Sequence, residues 1–244
     1  PVPSPAVGVN WAHHANATAY ANELMSAEVQ ILSVGVEVIP MKTFLQNTEE
    51  NSPSIITRKS TRDLWDIVVE ITTTPNTHVL VTGSSGVGKS RSMAYLLRKL
   101  LLNGKTVVYE SAMEEKFFLF KATGTVYEVM WVSSAFMRPS LIEELQDPGN
   151  FYLIDPKEDS SDPVIVPAHT ILASFPNPKH YKGFIKRKEA FTRYMPMWNI
   201  EELEAVRHIL GSAVNEDKAV TEDDLLERFH NLGGRPRSVF ARDE

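Results

Sequence analysis

One octapeptide constrains the fold of this chain more than any other segment. It reads Gly83-Ser-Ser-Gly-Val-Gly-Lys89-Ser90 and fits the pattern G-x-x-x-x-G-K-[ST]. An apolar strand candidate at residues 79–81 precedes it, and a helical stretch at residues 91–102 follows it. Glycines let the backbone curl until successive N–H groups point at phosphate oxygens, and the following helix adds its N-terminal dipole. The order of strand, loop and helix therefore predicts a site for the phosphates of a nucleoside triphosphate.

Two side chains of this loop carry specific chemistry. We expect Lys89 to reach the β- and γ-phosphates, and the Ser90 hydroxyl to ligand Mg²⁺. The cofactors implied are therefore Mg²⁺ and ATP, with GTP as the alternative nucleotide. The residues of this segment that we predict to contact the nucleotide are Gly83, Ser84, Ser85, Gly86, Val87, Gly88, Lys89, Ser90 and Arg91.

The composition excludes several classes of protein. The 244 residues suffice for a full core in one or two domains, and 43% of them are hydrophobic, as in globular proteins. The net charge of −6 is unlike that of a dedicated nucleic-acid binder, so a nucleic-acid contact would need a local basic patch. No run approaches the roughly 18 apolar residues of a membrane span, and we expect no membrane partner. The absence of cysteine excludes disulfides and cysteine-based zinc sites.

The pattern along the chain predicts an α/β fold in three parts. Residues 1–60 are interpreted as an N-terminal extension or a remnant of a preceding domain. Residues 61–190 are predicted to form a P-loop NTPase core, in which a parallel sheet is flanked by helices. Residues 191–244 are predicted to form a small helical lid.

Local patterns predict the elements within these parts. The His13-His14 pair and the alanine-rich stretch to Ala27 predict one helix, and residues 29–44 predict one or two strands. A β-hairpin insertion is expected at residues 116–132 and a helix near residues 141–146. In the lid, we expect helices at residues 200–210 and from Thr221 onward.

A second element for the nucleotide follows downstream of the loop. Residues 151–154 are apolar and lead into Asp155, and a buried parallel strand that ends in aspartate can hold the Mg²⁺ shell. Many ATPases place another carboxylate directly after this aspartate to orient the attacking water, but here Pro156 occupies that position. Glu158 and Asp159 are the nearest substitutes. A catalytic role for these two residues and a merely solvated loop are both open.

Polar residues follow the next strand candidate as well. Residues 169–174 predict a core strand that ends in Ser174, with Asn177 just beyond it. Either side chain could sense the γ-phosphate, or both could belong to a turn. Residues 179–188 then contain five Lys or Arg and two aromatic residues. A solvated surface is the favoured interpretation of this segment, and contact with a nucleic-acid backbone is the alternative.

The C-terminal segment resembles the small helical lid of AAA+ and STAND ATPases. It contains Gly233-Gly234-Arg235-Pro236-Arg237, and in those ATPases a Gly-Gly-x-Pro-Arg turn opens a helix whose arginine reaches the nucleotide. The resemblance implies that Arg237 stabilises charge on the γ-phosphate, with Arg235 as a second candidate. Arg193 could act on the same site or a neighbouring one.

Several motifs together resemble a narrower family, the P-loop NTPase module of Crinkler effectors and trypanosome retrotransposon hot spot (RHS) proteins. The resemblance covers about residues 60–244. Its motifs are the octapeptide, Leu153-Ile154-Asp155-Pro156, Ser174-Phe-Pro-Asn177, Met195-Pro196 and Gly233-Gly-Arg-Pro-Arg237.

This resemblance implies an NTPase module that is often joined to a nuclease-like or other effector domain. Such proteins act in the nucleus on chromatin or transcription, and Crinklers are secreted and delivered into host cells. No nuclease constellation is legible in this chain, so we expect the effector domain elsewhere in the full-length protein.

Three hypotheses for the function follow. The leading one is a Mg²⁺-dependent NTPase, acting as a switch or motor, in which the nucleotide governs lid closure or self-association into a homo-oligomer. The first alternative is a nucleotide-gated binding module with negligible hydrolysis, which Pro156 favours. The second alternative is a small-molecule P-loop kinase, and the Gly-Gly-Arg-Pro-Arg turn argues against it.

Overall fold

The computed structural model of the chain describes residues 9–43, 45, 54–111, 114–135, 137–156, 162–187, 190–211 and 220–241. Its strands are β1 (Ala12–His13), β2 (Gln30–Ile31), β3 (Glu37–Ile39), β4 (Ile55–Thr57), β5 (His78–Thr82), β6 (Val107–Ser111), β7 (Lys116–Thr123), β8 (Val126–Ser133), β9 (Phe151–Asp155), β10 (His169–Ala173) and β11 (Ala190–Tyr194). Its α-helices are α1 (Ala15–Ser26), α2 (Lys59–Ile71), α3 (Lys89–Leu102), α4 (Ile200–Gly211), α5 (Glu222–Leu232) and α6 (Pro236–Val239).

The architecture is α/β and is built on an eight-stranded sheet in the order β1-β8-β7-β6-β9-β10-β5-β11. The strands from β6 to β11 in this order are parallel to their neighbours, whereas β7, β8 and β1 extend the sheet in antiparallel pairs. A separate three-stranded antiparallel sheet contains β2, β3 and β4. The main sheet is therefore mostly parallel, and β5, which leads into the loop at residues 83–88, lies between β10 and β11.

The central strands form because their sequences are apolar on both sides. Every residue of β5 and β10 is buried, and so are the first four residues of β9. Near-continuous apolar runs of this kind are typical of parallel strands that are covered on both faces. These runs therefore predict strands β5, β9 and β10, and the structure confirms all three.

Different elements cover the two faces of the main sheet. Helices α1 to α5 contribute buried or partly buried residues to one apolar cluster, together with the inward-facing residues of the strands on that face. The opposite face is covered by 3₁₀ turns and irregular segments, which supply residues such as Leu145, Val166 and Phe184 to a second cluster. The α-helices therefore pack on one face of the sheet.

The long helix α3 follows the loop at residues 83–88, as predicted. Its buried stripe contains Met93, Leu96, Leu97, Leu100 and Leu101. The helix ends where Asn103 and Gly104 were expected to stop it, and Gly104 has a φ of +67°. The N–H of Lys105 donates to the carbonyl of Leu100 at 3.1 Å, which closes the last turn.

Residues before position 60 pack into the same core as the sheet. Helix α1 buries Ala17, Tyr20, Ala21 and Leu24 in the helical-face cluster, and β1 pairs with β8. Asn22 fixes the helix to the hairpin, since its Nδ2 donates to the Tyr127 carbonyl at 3.0 Å and its Oδ1 accepts from the Tyr127 N–H at 3.1 Å. The predicted domain boundaries themselves stay predictions.

Three local expectations differ from the structure. His13 lies in β1 and His14 is the N-cap of α1, where its Nδ1 accepts from the Ala17 N–H, so the helix begins after the histidine pair. The helix expected near residues 141–146 is a pair of 3₁₀ turns, Pro139–Leu141 and Glu143–Gln146. Residues 190–194, which span the end of the predicted core and the start of the predicted lid, form the edge strand β11.

The remaining element predictions are confirmed. The expected hairpin is β7 and β8, which turn at Gly124 with a φ of +71°. The helix expected from Thr221 is α5, and the Thr221 side chain accepts from the Asp224 N–H in a complete capping box. The sequence pattern thus predicts the hairpin and the C-terminal helices, as it does the central strands.

We predict that shortening a central side chain will be far more costly than shortening an exposed one of similar size. Leu153 of β9 is fully buried, so Leu153→Ala should lower the free energy of unfolding by about 2–5 kcal/mol. Ile31 is 74% exposed, and Ile31→Ala should change that free energy by less than about 0.5 kcal/mol. Urea unfolding of the two variants measures the difference, and equal losses would contradict the packing described.

Candidate functional site

The loop of residues 83–88 lies at the carboxyl edge of the main sheet, between β5 and α3. From β5 the chain crosses through α3 to β6 on one side of β5, and from β10 it crosses to β11 on the other side. Connections that leave neighbouring strands in opposite directions open a crevice at the strand ends, where α/β proteins bind ligands. Strand β9 delivers Asp155 to the same edge.

Three loop positions favour glycine, and Gly83 is the first of them, with a φ of +148°. Gly86 has a φ of +75° and Gly88 a φ of +104°, both in the left-handed region. A Cβ on Gly86 would also stand 2.8 Å from the Cβ of Arg237. The loop conformation and the approach of the C-terminal segment therefore both depend on these glycines.

Carbonyl groups of the loop accept hydrogen bonds from other parts of the chain, whereas its N–H groups do not donate any to described residues. The Gly86 carbonyl accepts from the Arg237 N–H at 3.4 Å, and the Val87 carbonyl accepts from the Trp198 indole N–H at 3.0 Å. Among the described residues, by contrast, the backbone N–H groups of residues 84–88 donate no hydrogen bond. A run of N–H groups with this freedom in a turn forms a concavity that binds anions.

Lys89 closes the loop on itself. Its Nζ donates to the carbonyls of Gly83 at 2.7 Å and Ser84 at 2.8 Å. The pKa of Lys89 is lowered to about 8, mainly by burial and also by the nearby charge of Arg237, while Asp155 opposes the shift. The ammonium group is thus an incompletely compensated positive charge at the loop.

Ser90 and Asp155 meet although they are far apart in sequence. The Ser90 Oγ donates to Asp155 Oδ1 at 2.8 Å, and the Tyr109 hydroxyl lies 3.5 Å from the other carboxylate oxygen. Burial raises the pKa of Asp155, while the hydrogen bonds from Ser90 and Tyr109 and the charge of Lys89 lower it. The structure therefore places a hydroxyl and a carboxylate side by side at the N-terminus of α3.

The arginines predicted for the site lie in different places. Arg237 is exposed beside Gly86, and its charge acts on both Lys89 and Arg91. Arg235 Nε donates to the Leu232 carbonyl at 3.0 Å, and Arg193 Nη1 donates to the Thr192 carbonyl at 2.9 Å. Of these arginines, Arg237 and Arg91 are the ones brought to the loop.

The residues beyond β10 make local contacts. Ser174 is buried, and its Oγ donates to the Phe175 carbonyl at 3.1 Å. Asn177 accepts from the Lys179 N–H at 3.1 Å, and its Nδ2 lies 2.9 Å from His180 Nε2. These contacts match the turn interpretation of both residues. Glu158 and Asp159 lie outside the described residues.

The basic segment has a mixed environment. Lys179, Lys182, Lys186 and Arg187 are exposed, and Lys188 lies outside the described residues. Tyr181 and Phe184 are buried in the second apolar cluster, so their rings are not available to stack on bases. Asp162 Oδ2 anchors the segment by accepting from the Gly183 N–H at 2.9 Å. The exposed side chains match the favoured interpretation as a solvated surface.

Sequence reasoning missed two residues that contact the site. Tyr109 reaches Asp155 from the neighbouring strand β6, and Trp198 holds the Val87 carbonyl from a segment more than a hundred residues away in sequence. The placement of Tyr109 near the end of a strand was a usable signal, because carboxyl ends of parallel strands share one edge. Trp198 carries no local signal, since its contact depends on tertiary packing alone.

The described part of the chain contains neither a cluster of metal-binding side chains nor a membrane-spanning helix. There, no group of three or more His, Cys, Asp or Glu side chains is arranged to hold a metal ion. None of the helices in that part is long and apolar enough to cross a membrane.

We predict a pH-dependent contribution of Lys89 to stability. The pKa of Lys89 is about 8 in the folded chain and 10.5 ordinarily. At pH values between these two, the unfolded chain therefore binds the ammonium proton of Lys89 more fully than the folded chain does. Stability therefore rises with pH across this interval, by roughly 1.4 kcal/mol per pH unit at most. The penalty is fully present below about pH 8 and absent above about pH 10.5.

Urea unfolding of wild type and Lys89→Met at about pH 8 and about pH 10 measures this contribution. The difference in unfolding free energy should shift in favour of wild type at the higher pH. Lys99→Met serves as the control substitution, since Lys99 also lies in α3, where it pairs with Asp66 of α2. A constant difference for Lys89→Met would contradict the burial of its ammonium group.

Comparison with known proteins finds sequence similarity over part of the chain. No family model matches the chain. Crinkler effector proteins 15 and 16 of Phytophthora infestans are each 32% identical to it over 173 residues. The matched region covers 67% of this chain and 24% of each relative, so the chain spans about a quarter of the relatives it matches. Over two thirds of its length, the chain is therefore similar to Crinkler effectors.

Proposed function

We propose that this chain binds a nucleoside triphosphate together with Mg²⁺ and hydrolyses it, as the NTPase module of a Crinkler-like effector. One observation carries the proposal. A loop whose N–H groups at residues 84–88 donate to no other described group leads into a helix whose second residue, Ser90, bonds to Asp155 from another strand. Phosphate oxygens match the donors, and Mg²⁺ matches the hydroxyl and carboxylate pair.

The phosphates would be bound by the backbone of residues 84–88, by the N-terminus of α3 and by Lys89. The first N–H groups of a helix have no partner within the helix, and the helix dipole favours an anion there. Lys89 adds a positive charge beside the loop, which would compensate the charge of the phosphates. Arg237 beside Gly86 supplies a further charge that can stabilise the γ-phosphate.

The residues present also fit Mg²⁺. This ion is usually held by one or two carboxylates, several waters and the substrate phosphates, rather than by a full protein cage. Ser90 and Asp155 would hold it here, and Tyr109 would orient the carboxylate. When bound, the ion neutralises charge on the phosphates.

Hydrolysis also needs a group that orients water. Pro156 follows Asp155 and cannot serve, so we propose Glu158 or Asp159 for this role. Pro156 is also the observation that favours the second candidate function, a nucleotide-gated binding module with negligible hydrolysis. The two functions share one binding site and differ in turnover.

The proposal extends to the whole protein only through its resemblance to Crinkler effectors. We propose an effector that acts in the nucleus on nucleic acid or chromatin, with a further effector domain elsewhere in the full-length protein. A secreted form delivered into a host cell is the alternative. Contact with nucleic acid would use the backbone phosphates and the exposed Lys179, Lys182, Lys186 and Arg187. Nucleotide-dependent self-association is proposed with it.

We predict that Lys89→Ala will weaken the binding of ATP with Mg²⁺ by at least about 100-fold, because it removes a charge that faces the phosphates. Lys99→Ala on the same helix, away from the loop, should leave the affinity unchanged. Isothermal titration calorimetry measures both variants, and GTP is titrated in parallel. Retained affinity in Lys89→Ala would rule out the proposed site.

We predict that Asp155→Asn will abolish the dependence of nucleotide affinity on Mg²⁺, because the carboxylate loses its charge.

Phosphate release by wild type, Glu158→Gln and Asp159→Asn then separates the two candidate functions. Hydrolysis in wild type that falls about 100-fold in one of these variants supports an NTPase with that residue as the water-orienting group. Binding without phosphate release in wild type supports the nucleotide-gated module.

A further inference from the structure

We propose that Trp198 is a positioning residue for the nucleotide loop. In this proposal its indole N–H holds the Val87 carbonyl outward, so that the neighbouring N–H groups stay directed at the phosphates. The inference deepens the proposed function and rests on it, because the phosphates are the ligand for which the loop is positioned.

The contact is direct and buried. Trp198 Nε1 donates to the Val87 carbonyl at 3.0 Å, and the two residues are 8% and 1% exposed. A buried carbonyl that loses its donor costs free energy, because water cannot replace the lost hydrogen bond. Turning the Val87 carbonyl inward would reverse the adjacent peptide group and turn its N–H away from the site. The indole therefore selects one orientation of the loop backbone.

The tryptophan itself is fixed by its backbone. Its N–H donates to the Gly234 carbonyl at 3.0 Å. A Cβ on Gly234 would stand only 1.8 Å from the Trp198 carbonyl oxygen, so the two backbones touch where a side chain has no room. Gly234 and Arg237 belong to one turn. That turn therefore supports both groups that bond to the loop, the Trp198 indole at Val87 and the Arg237 N–H at Gly86.

Arg58 fixes the ring from another side. Its guanidinium carbon lies 4.9 Å from the centroid of the Trp198 ring. It also donates to the carbonyls of Pro196 and Met197 and forms an ion pair with Glu202 at 2.9 Å. Arg58 is 1% exposed, so its bonds are shielded from solvent and hold the indole in one position.

Glu202 extends this support into α4. Its Oε2 also accepts from the Asn199 N–H at 3.0 Å, and its own N–H donates to Asn199 Oδ1 at 2.7 Å. The first turn of α4 is therefore bound through Arg58 and Trp198 to the Val87 carbonyl. Movement of α4 and movement of the loop are coupled through this indole.

A second buried tryptophan provides a matched control. Trp65 in α2 is fully buried, and its Nε1 has no hydrogen-bond partner among the described residues. Replacement by phenylalanine removes an indole N–H in both cases, and at Trp198 alone that N–H is bonded to the loop. Trp65→Phe loses at least as much packing, so it reports the general cost of such a change.

The test compares wild type, Trp198→Phe and Trp65→Phe in the full chain. We expect Trp198→Phe to weaken the binding of ATP with Mg²⁺ by about tenfold and Trp65→Phe by less than about twofold. If phosphate release is measurable, KM should rise in Trp198→Phe while kcat changes by less than about threefold, because the indole does not touch the reacting atoms. Equal affinities in the two variants would overturn the inference.

Hydrogen exchange without nucleotide tests the loop separately from the proposed function. We expect faster exchange of the amides of residues 84–90 in Trp198→Phe than in Trp65→Phe. Faster exchange in a chain whose wild type fails to bind nucleotide would remove the proposed function and retain Trp198 as the support of the loop. Unchanged exchange in Trp198→Phe would overturn the positioning role, whatever the wild type binds.

Discussion

Several carbonyl groups of the loop at residues 83–88 accept hydrogen bonds from groups outside the loop, and these bonds tie distant parts of the chain together. Lys89 of α3 takes the first two carbonyls, the indole of Trp198 takes that of Val87, and the Arg237 N–H takes that of Gly86. Just before the loop, the Met195 N–H donates to the Thr82 carbonyl at 2.7 Å. With these carbonyls bonded, the N–H groups of residues 84–88 are the ones that would meet the proposed phosphates, so the contacts around the loop set its orientation.

Charge in the site follows from the same arrangement. The charge of Arg237 acts on both Lys89 and Arg91, and Asp155 opposes its effect at Lys89. Burial adds to the repulsion at Lys89, which lowers its pKa. A polyphosphate would compensate this excess of positive charge, and a neutral ligand would not. The electrostatics therefore support an anionic ligand independently of the motif.

The sequence predicted the strands and helices of the core better than it predicted the segments and contacts that depend on tertiary packing. The apolar runs of β5, β9 and β10 and the stripe of α3 fix strands and a helix, because burial on a given period leaves one choice of secondary structure. The turns at residues 139–146 and the edge strand β11 were not predicted, because their conformations depend on packing against the sheet. The same limit applies to Asn177, whose bond to His180 was not legible from spacing.

By itself, the sequence determined the loop, its lysine and serine, and the aspartate that ends β9. The glycines allow a curl that few other residues permit, and an aspartate after an apolar strand arrives at the carboxyl edge of a parallel sheet. Only the tertiary structure decided that Ser90 meets Asp155, that Arg237 rather than Arg235 lies at Gly86, and that Arg58 and Trp198 support the loop. These contacts join residues far apart in the chain, and no local preference encodes them. Their partners are set by how the helices pack on one face of the sheet.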